Sequence, residues 1–494
     1  MQVRRRTLAK LLLVVFVGNL VVMGAGAWYS YQQAPPIPQE FVGPDGETVV
    51  TDDQIRDGKT TFQSDALMNH GSILGNGAYF GSDYTADALD RKVQYMRAYY
   101  AEARYGSDYE SLPSAERAAV DSLVEEDLAS TDTTAPVEYS AAEVYAHQQV
   151  RADYVERYHE GSREHGLPAG TIESAEEARQ FADFALWTAW ISHTERPGTD
   201  HTYTNDWPYA PVAGNEPTAG TMTWSVVAMV LLVAGAGIGV WLYKSVELPE
   251  PETEGVSVPH PDDIDLLPSQ RAATRFIPIG AALFLAQVLL GGLLAHYYVE
   301  RDGFFGIGEL LGIDVLGILP FALAKTYHID LGVLWIATLW LAAGLFLPPL
   351  LTGTEPDDQK RYVHVLIGAL LVVVAGGFAG IWLGANGYID GDLWWIVGNE
   401  GLEYLEVGRL WQVGLLAGFV LWAGLVARGF KPLLDREEPF GLAHMILYAG
   451  GSIALLFTAG LFYTPQTNIV VTEFWRWWVV HMWVEGAFEF FIVA

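Results

Sequence analysis

The chain has 494 residues, 51% of them hydrophobic, yet it carries 59 acidic against 28 basic side chains and a formal net charge of −31. Its mean hydropathy of +0.19 is too high for an ordinary soluble protein, and its acidity excludes nucleic-acid binding, which needs a basic footprint. The absence of cysteine excludes disulfides, thiolate metal sites and a Cys-x-x-Cys-His haem attachment.

A helix crosses a bilayer with about 20 apolar residues. By that measure, spans are predicted near 7–29, 221–243, 276–298, 319–351, 363–384, 410–428, 442–464 and 473–494. Arg4, Arg5 and Arg6 precede the first run as they would in a secretory signal. That run is longer than the roughly 7–15 residues of a signal core and no small-x-small cleavage site follows, so residues 1–29 are read as a retained anchor. Basic residues fall in alternate loops: Lys244, Arg271 and Arg275 after the second span, Lys360 and Arg361 after the fourth, Arg428, Lys431 and Arg436 after the sixth. The positive-inside rule then places the N-terminus in the cytoplasm of a multi-pass cell-membrane protein, with residues 30–220 outside.

Residues 30–220 read as one external domain. Pro35, Pro36 and Pro38 form a stiff exit from the anchor, and 58–81 is rich in glycine and aromatics. Helical periodicity appears over 86–105 and 141–159, and again around Trp187 and Trp190, ending before Pro197. The acidic run 108–138 between the first two reads as surface loop and short helix. A second span at 221–245 leads to an acidic, proline-rich cytoplasmic linker at 246–275, and 276–494 supplies six further spans. A strongly acidic surface suits a protein living in high salt, where self-repulsion is screened.

Ionisable side chains inside a membrane are costly and usually face a bundle interior. His328 lies about two turns into the fourth span and His481 at a comparable depth in the eighth, both toward the outer half. His296, His364 and His444 fall at helix ends, where an interfacial imidazole needs no special explanation. His481, Glu485 and Glu489 share one face at helical spacing. An imidazole with a carboxylate favours iron over copper, and Glu489 is placed to orient Glu485 or to handle protons. Glu400, Glu403 and Glu406 would line one helix face at the outer boundary, either as a hard-cation site such as calcium, as proton acceptors, or as a solvated acidic face. Trp394, Trp395, Trp475, Trp477 and Trp478 read as interfacial belt residues.

At these residues the chain resembles the quinol-dependent nitric oxide reductases of the haem-copper oxidase superfamily. Gly71-Ser-Ile-Leu-Gly-Asn-Gly-Ala-Tyr79 resembles the family's outer-domain signature, and Trp207-Pro208 with Asn215 and Pro217-Thr218 resembles its re-entry segment. Leu319-Pro-Phe321 through His328, Glu403-Tyr-Leu-Glu406 and His481-Met-Trp-Val-Glu485-Gly486 resemble its membrane motifs. The resemblance implies an all-α polytopic membrane protein, with a cytochrome-c-like external domain lacking haem c and the first six helices of a twelve-helix catalytic bundle. It implies reduction of two nitric oxide molecules to nitrous oxide and water by quinol, at a haem b3/non-haem iron centre. His328 would be an axial ligand of the low-spin haem b, His481 and Glu485 would hold the non-haem iron, and Glu489 would handle protons. Glu403 and Glu406 would lie near haem propionates or calcium. The remaining metal ligands would come from further helices, in cis or in a separate chain, so this bundle is expected to be a truncated piece and inactive alone; a homodimer is the assembly considered. The alternatives are an oxygen-reducing oxidase, which would carry tyrosine where Glu485 stands and so finds no support in these residues, and a non-catalytic binding or assembly protein.

Overall fold

The computed structural model describes residues 5–129, 133, 136–245, 265–302, 305–389, 391–435 and 441–488. Helix α1 (Arg5–Gln32) is followed by strands β1 (Glu40–Val42) and β2 (Thr48–Thr51) and helices α2 (Asp52–Ser64), α3 (Tyr84–Tyr105) and α4 (Ser114–Leu128). Strand β3 (Val137–Glu138) precedes α5 (Ala141–Tyr154), α6 (Ala175–His193) and α7 (Ala219–Ser245). The bundle contains α8 (Pro268–Ala273), α9 (Phe276–Glu300), the short α10 (Ile307–Leu311) and α11 (Val315–Ile318), α12 (Phe321–Thr352), α13 (Gln359–Ala385) and α14 (Leu393–Val397). It continues through strands β4 (Asn399–Leu402) and β5 (Leu405–Val407) to α15 (Arg409–Leu434), α16 (Leu442–Phe457) and α17 (Ile469–Trp477).

Among the described residues seven helical stretches are long and apolar enough to cross a membrane, from Lys10–Gln32 to Leu442–Leu461. They match the first seven predicted spans. Of the eighth, residues 489–494 lie outside the described residues; over the rest α17 ends at Trp477 and the backbone continues as a π-helix over Trp478–Phe488, a wider turn that recurs at functional sites. The linker residues 246–264 lie outside the described residues.

Residues 34–218 form a head domain built on α2 to α6. Thr51, Ser140 and Ser174 open α2, α5 and α6 with reciprocal capping boxes, each side chain accepting from the third helical N–H. Helix α6 is buried from Phe181 to His193 and packs on α2, α3 and α5. The rings of Phe62, Tyr84, Tyr154, Tyr158, Phe181 and Phe184 fill the centre, with Tyr84 and Phe181 edge-to-face at 5.0 Å. Burying each such ring contributes about 1.5–3 kcal/mol. The acidic run is mostly α4, which turns Val120, Val124 and Leu128 inward. A small sheet, β2-β1-β3, closes one edge, with Phe41 opposite Val50 and Val137.

The head domain is seated on the bundle through buried polar contacts. Lys59 Nζ donates to the carbonyls of Pro465 (2.5 Å) and Thr467 (2.6 Å). Gln63 Nε2 donates to the Glu400 carbonyl at 3.0 Å, and Asn399 Nδ2 returns to the Gln63 and Ser64 carbonyls at 3.2 and 3.1 Å. Within the bundle α9 lies along α12, and α15 contacts α12, α13 and α16.

One expectation is corrected. Glu400, Glu403 and Glu406 do not line a helix: they sit on the antiparallel hairpin β4–β5. Their three-residue spacing fits a helix face, but Gly401 adopts a φ of +65° and Tyr404 one of +71°, which helices do not accommodate. A β-carbon at 401 would collide with the Gln63 carbonyl of α2, so the hairpin reaches the head domain only with glycine there.

Candidate haem and metal site

His328 comes from the first third of α12 and faces α9. Its Nδ1 lies 2.9 Å from the main-chain carbonyl of Gln287. Because a carbonyl only accepts, Nδ1 carries the proton and Nε2 is left as the acceptor nitrogen, the arrangement that orients metal-binding imidazoles. Gln287 also accepts from Trp335 Nε1 through its side-chain oxygen at 2.7 Å. A cavity of about 690 Å³ opens beside this ring, lined by Gln287, His328, Trp335 and Trp340, and also by Tyr404 and Val484. The fourth span, the hairpin tip and the π-helical stretch therefore border one space.

Above it lies a layer of polar side chains. Lys325 Nζ donates to Glu403 Oε1 at 2.8 Å and to Asn69 Oδ1 at 2.9 Å. Tyr79 donates to Glu403 Oε2 at 2.9 Å, and Arg476 approaches the same oxygen at 3.7 Å. Glu406 is fully buried and accepts from Asn69 Nδ2 at 3.1 Å. Its burial, together with the nearby Asp330 carboxylate, raises its pKa well above the usual carboxylate range. Glu406 Oε2 and Asp330 Oδ2 are both shut from solvent. Glu400 is buried apart from these, paired with Arg409 Nε at 3.1 Å and accepting from Tyr463 at 3.0 Å. The cluster is thus no solvated acidic face.

His481 lies on the π-helical stretch and is exposed on the described surface. Its ring stacks on Trp477, with centroids 4.3 Å apart and planes 29° from parallel. Glu485 is four residues further along the same π-helical backbone; its side chain, and the whole of Glu489, lie outside the described residues. Among the described residues no group of three or more His, Asp or Glu side chains is placed to hold a metal ion. What the described part offers is one imidazole on the helix that borders the His328 cavity.

Asp330 escapes sequence reasoning although it stands two residues after His328, where the cost of charge in a membrane could single it out. Gln287, Arg476 and Glu473 lie in the spans or at their entrance and carry a weaker version of that signal. Asn69 of the head domain carries none, and Asn76 stands out only as a member of the Gly71–Tyr79 segment.

A bundle of membrane-length helices carrying a head domain, with His328 beside a cavity of about 690 Å³, is the architecture of an all-α polytopic membrane protein. Residues 271–494 match the family model of cytochrome c and quinol oxidase polypeptide I. Residues 38–209 match that of the NorB cytochrome c-like domain of nitric oxide reductase. The chain thus carries a domain of the oxidase polypeptide I type over residues 271–494, together with the nitric oxide reductase type of head domain over residues 38–209. A nitric oxide reductase subunit of Stutzerimonas stutzeri is 26% identical over 230 residues, covering 46% of this chain and 44% of that protein. The match spans less than half the length of that relative.

Proposed function

We propose that this chain is the head and the first part of the catalytic bundle of a quinol-dependent nitric oxide reductase, joining two nitric oxide molecules, two electrons and two protons into nitrous oxide and water. The observation that carries this is His328: its Nδ1 is tied to Gln287, and its ring borders a roomy cavity shared with the hairpin tip and the helix of His481. The donor chemistry fits a low-spin haem b on His328. His481 and Glu485 would hold the non-haem iron, and haem b3 would take its ligand from elsewhere in the protein. The iron and haem centres supply electrons and hold nitric oxide when bound. The residues of this chain orient the imidazoles, exclude water through the apolar walls of Ile329, Val333, Ile336 and Leu339, and hold a proton at Glu406. Glu489 is proposed to hand on protons beyond that helix.

The Glu403–Glu406 layer is proposed as the rim that receives haem propionates rather than calcium. Glu403 is already ion-paired with Lys325 at 2.8 Å and has Arg476 at 3.7 Å, so its charge is met by fixed side chains and does not call for a metal ion. The cysteine-free head domain, filled by aromatic rings, supports a membrane quinol as donor instead of a covalent haem c. The head is proposed to face outside and the protein to reside in the cell membrane.

The test uses the protein purified with its full metal complement from its native membrane. His481→Ala should abolish nitric oxide turnover and non-haem iron while leaving the low-spin haem spectrum intact. Unchanged turnover would remove His481 from the site.

A further inference from the structure

We propose that Asn76 of the head domain is a positioning residue for the His481 ring, acting through the indole of Trp477. The proposal rests on the reading of His481 as an iron ligand.

The segment carrying Asn76 is pinned within its own domain. Asp83, the N-cap of α3, accepts from Ser72 Oγ at 2.7 Å and from the Gly75 N–H at 3.0 Å, while Thr85 Oγ1 accepts from the Leu74 N–H at 3.0 Å. Leu74, Gly75 and Gly77 all have positive φ, so the chain turns sharply on both sides of Asn76 and presents its side chain outward from a fixed base. The indole of Trp207 packs over Gly75, where a β-carbon would lie 3.4 Å from the ring.

Every atom of the Asn76 amide is then used. Nδ2 donates to the Ile73 carbonyl at 2.8 Å and to Glu473 Oε2 at 2.7 Å; Oδ1 accepts from Trp477 Nε1 at 3.3 Å. The reverse orientation would set the amide oxygen against the Glu473 carboxylate and the NH₂ against the indole N–H, so only one orientation satisfies its partners. Glu473 is itself fixed by a two-point pair with Arg476, at 2.8 Å and 3.0 Å, and the Arg476 guanidinium lies 5.1 Å from the Trp477 ring centre. Asn76 therefore sets the tilt of the indole on which the His481 imidazole stacks. A head-domain residue reaches the proposed iron site through one aromatic ring.

Outer partners that orient a ligating imidazole are worth about 10–100-fold in metal affinity. The experiment titrates non-haem iron out of the full metal-loaded protein with a chelator and records the spectrum of the iron that remains. Asn76→Ala, and Trp477→Phe, which keeps the stacked ring and deletes its N–H, should each release iron at lower chelator concentration, by up to about 10-fold, the low end of that range, because the hydrogen bond lies one ring away from the imidazole. The double variant should be no worse than either alone, because both remove the same hydrogen bond. The low-spin haem spectrum should stay unchanged in all three. Iron held as tightly as in wild type by Trp477→Phe overturns the route through the indole, whatever Asn76→Ala does. Additive losses overturn it as well. Iron retained by His481→Ala would instead sink the ligand assignment on which the proposal rests, so the two failures are told apart.

Discussion

His328 packs directly on Gly291 of α9: a β-carbon at 291 would lie 2.9 Å from Cε1 of the imidazole and 3.4 Å from Nδ1. The glycine is what lets the ring come close enough to α9 to reach the Gln287 carbonyl. Gly291→Ala should push the imidazole off that carbonyl at a cost of about 1–3 kcal/mol, the range for overpacking a tight contact. The low-spin haem spectrum should shift or lose intensity while the bundle stays folded. An unaltered spectrum would show that the ring's placement does not depend on this contact. His328→Ala should remove that spectrum altogether.

Lys59 is 7% exposed, and burial lowers its pKa to about 8. It spans the seam between the head domain and the loop before α17 by donating to two carbonyls. Lys59→Met keeps the stem and deletes the donor. Each carbonyl left without a partner costs about 1–3 kcal/mol, partly offset because a buried charge is removed as well. Hydrogen–deuterium exchange should accelerate over residues 464–472 and stay unchanged in α5. Identical exchange in wild type and variant would mean that the seam is held by other contacts.

The head domain should weaken in acid. His70 and His193 are buried, and desolvation lowers both pKa values to about 3, helped at His70 by Arg157 and His165 and at His193 by Lys92. The unfolded chain titrates near 6.5. Between those values the unfolded state binds protons that the folded state does not, so stability is full above about 6.5 and falls as pH drops toward 3. Asp83, whose carboxyl is raised by burial, works in the opposite direction, so the comparison must be with variants. The thermal midpoint of the head-domain transition should fall between pH 7 and pH 5, with a flatter profile in His70→Gln and His193→Gln. Parallel profiles in wild type and variants would exclude these two histidines as the cause.

Patterns that repeat along the chain are legible in the amino-acid order itself. Apolar runs of membrane length place seven spans within a few residues, because hydrocarbon leaves a backbone no other way to satisfy its hydrogen bonds. Helical periodicity finds α3, α5 and α6, and the cost of a buried imidazole singles out His328, which borders the large cavity. Local spacing fails at Glu400–Glu406, where both a helix face and a hairpin fit the letters. The decision comes from Gly401 pressed against Gln63, more than 300 positions away in the chain.

The sequence by itself determined that this is a membrane bundle with a cysteine-free, acidic head, because composition and hydrophobic length act residue by residue. Only the tertiary structure decided that Lys325 meets Glu403, that Glu406 is buried beside Asp330, and that Asn76 touches Trp477. Those contacts join segments that lie far apart in the chain. Their energy depends on burial and on donor geometry, and neither exists until the head is seated on the bundle.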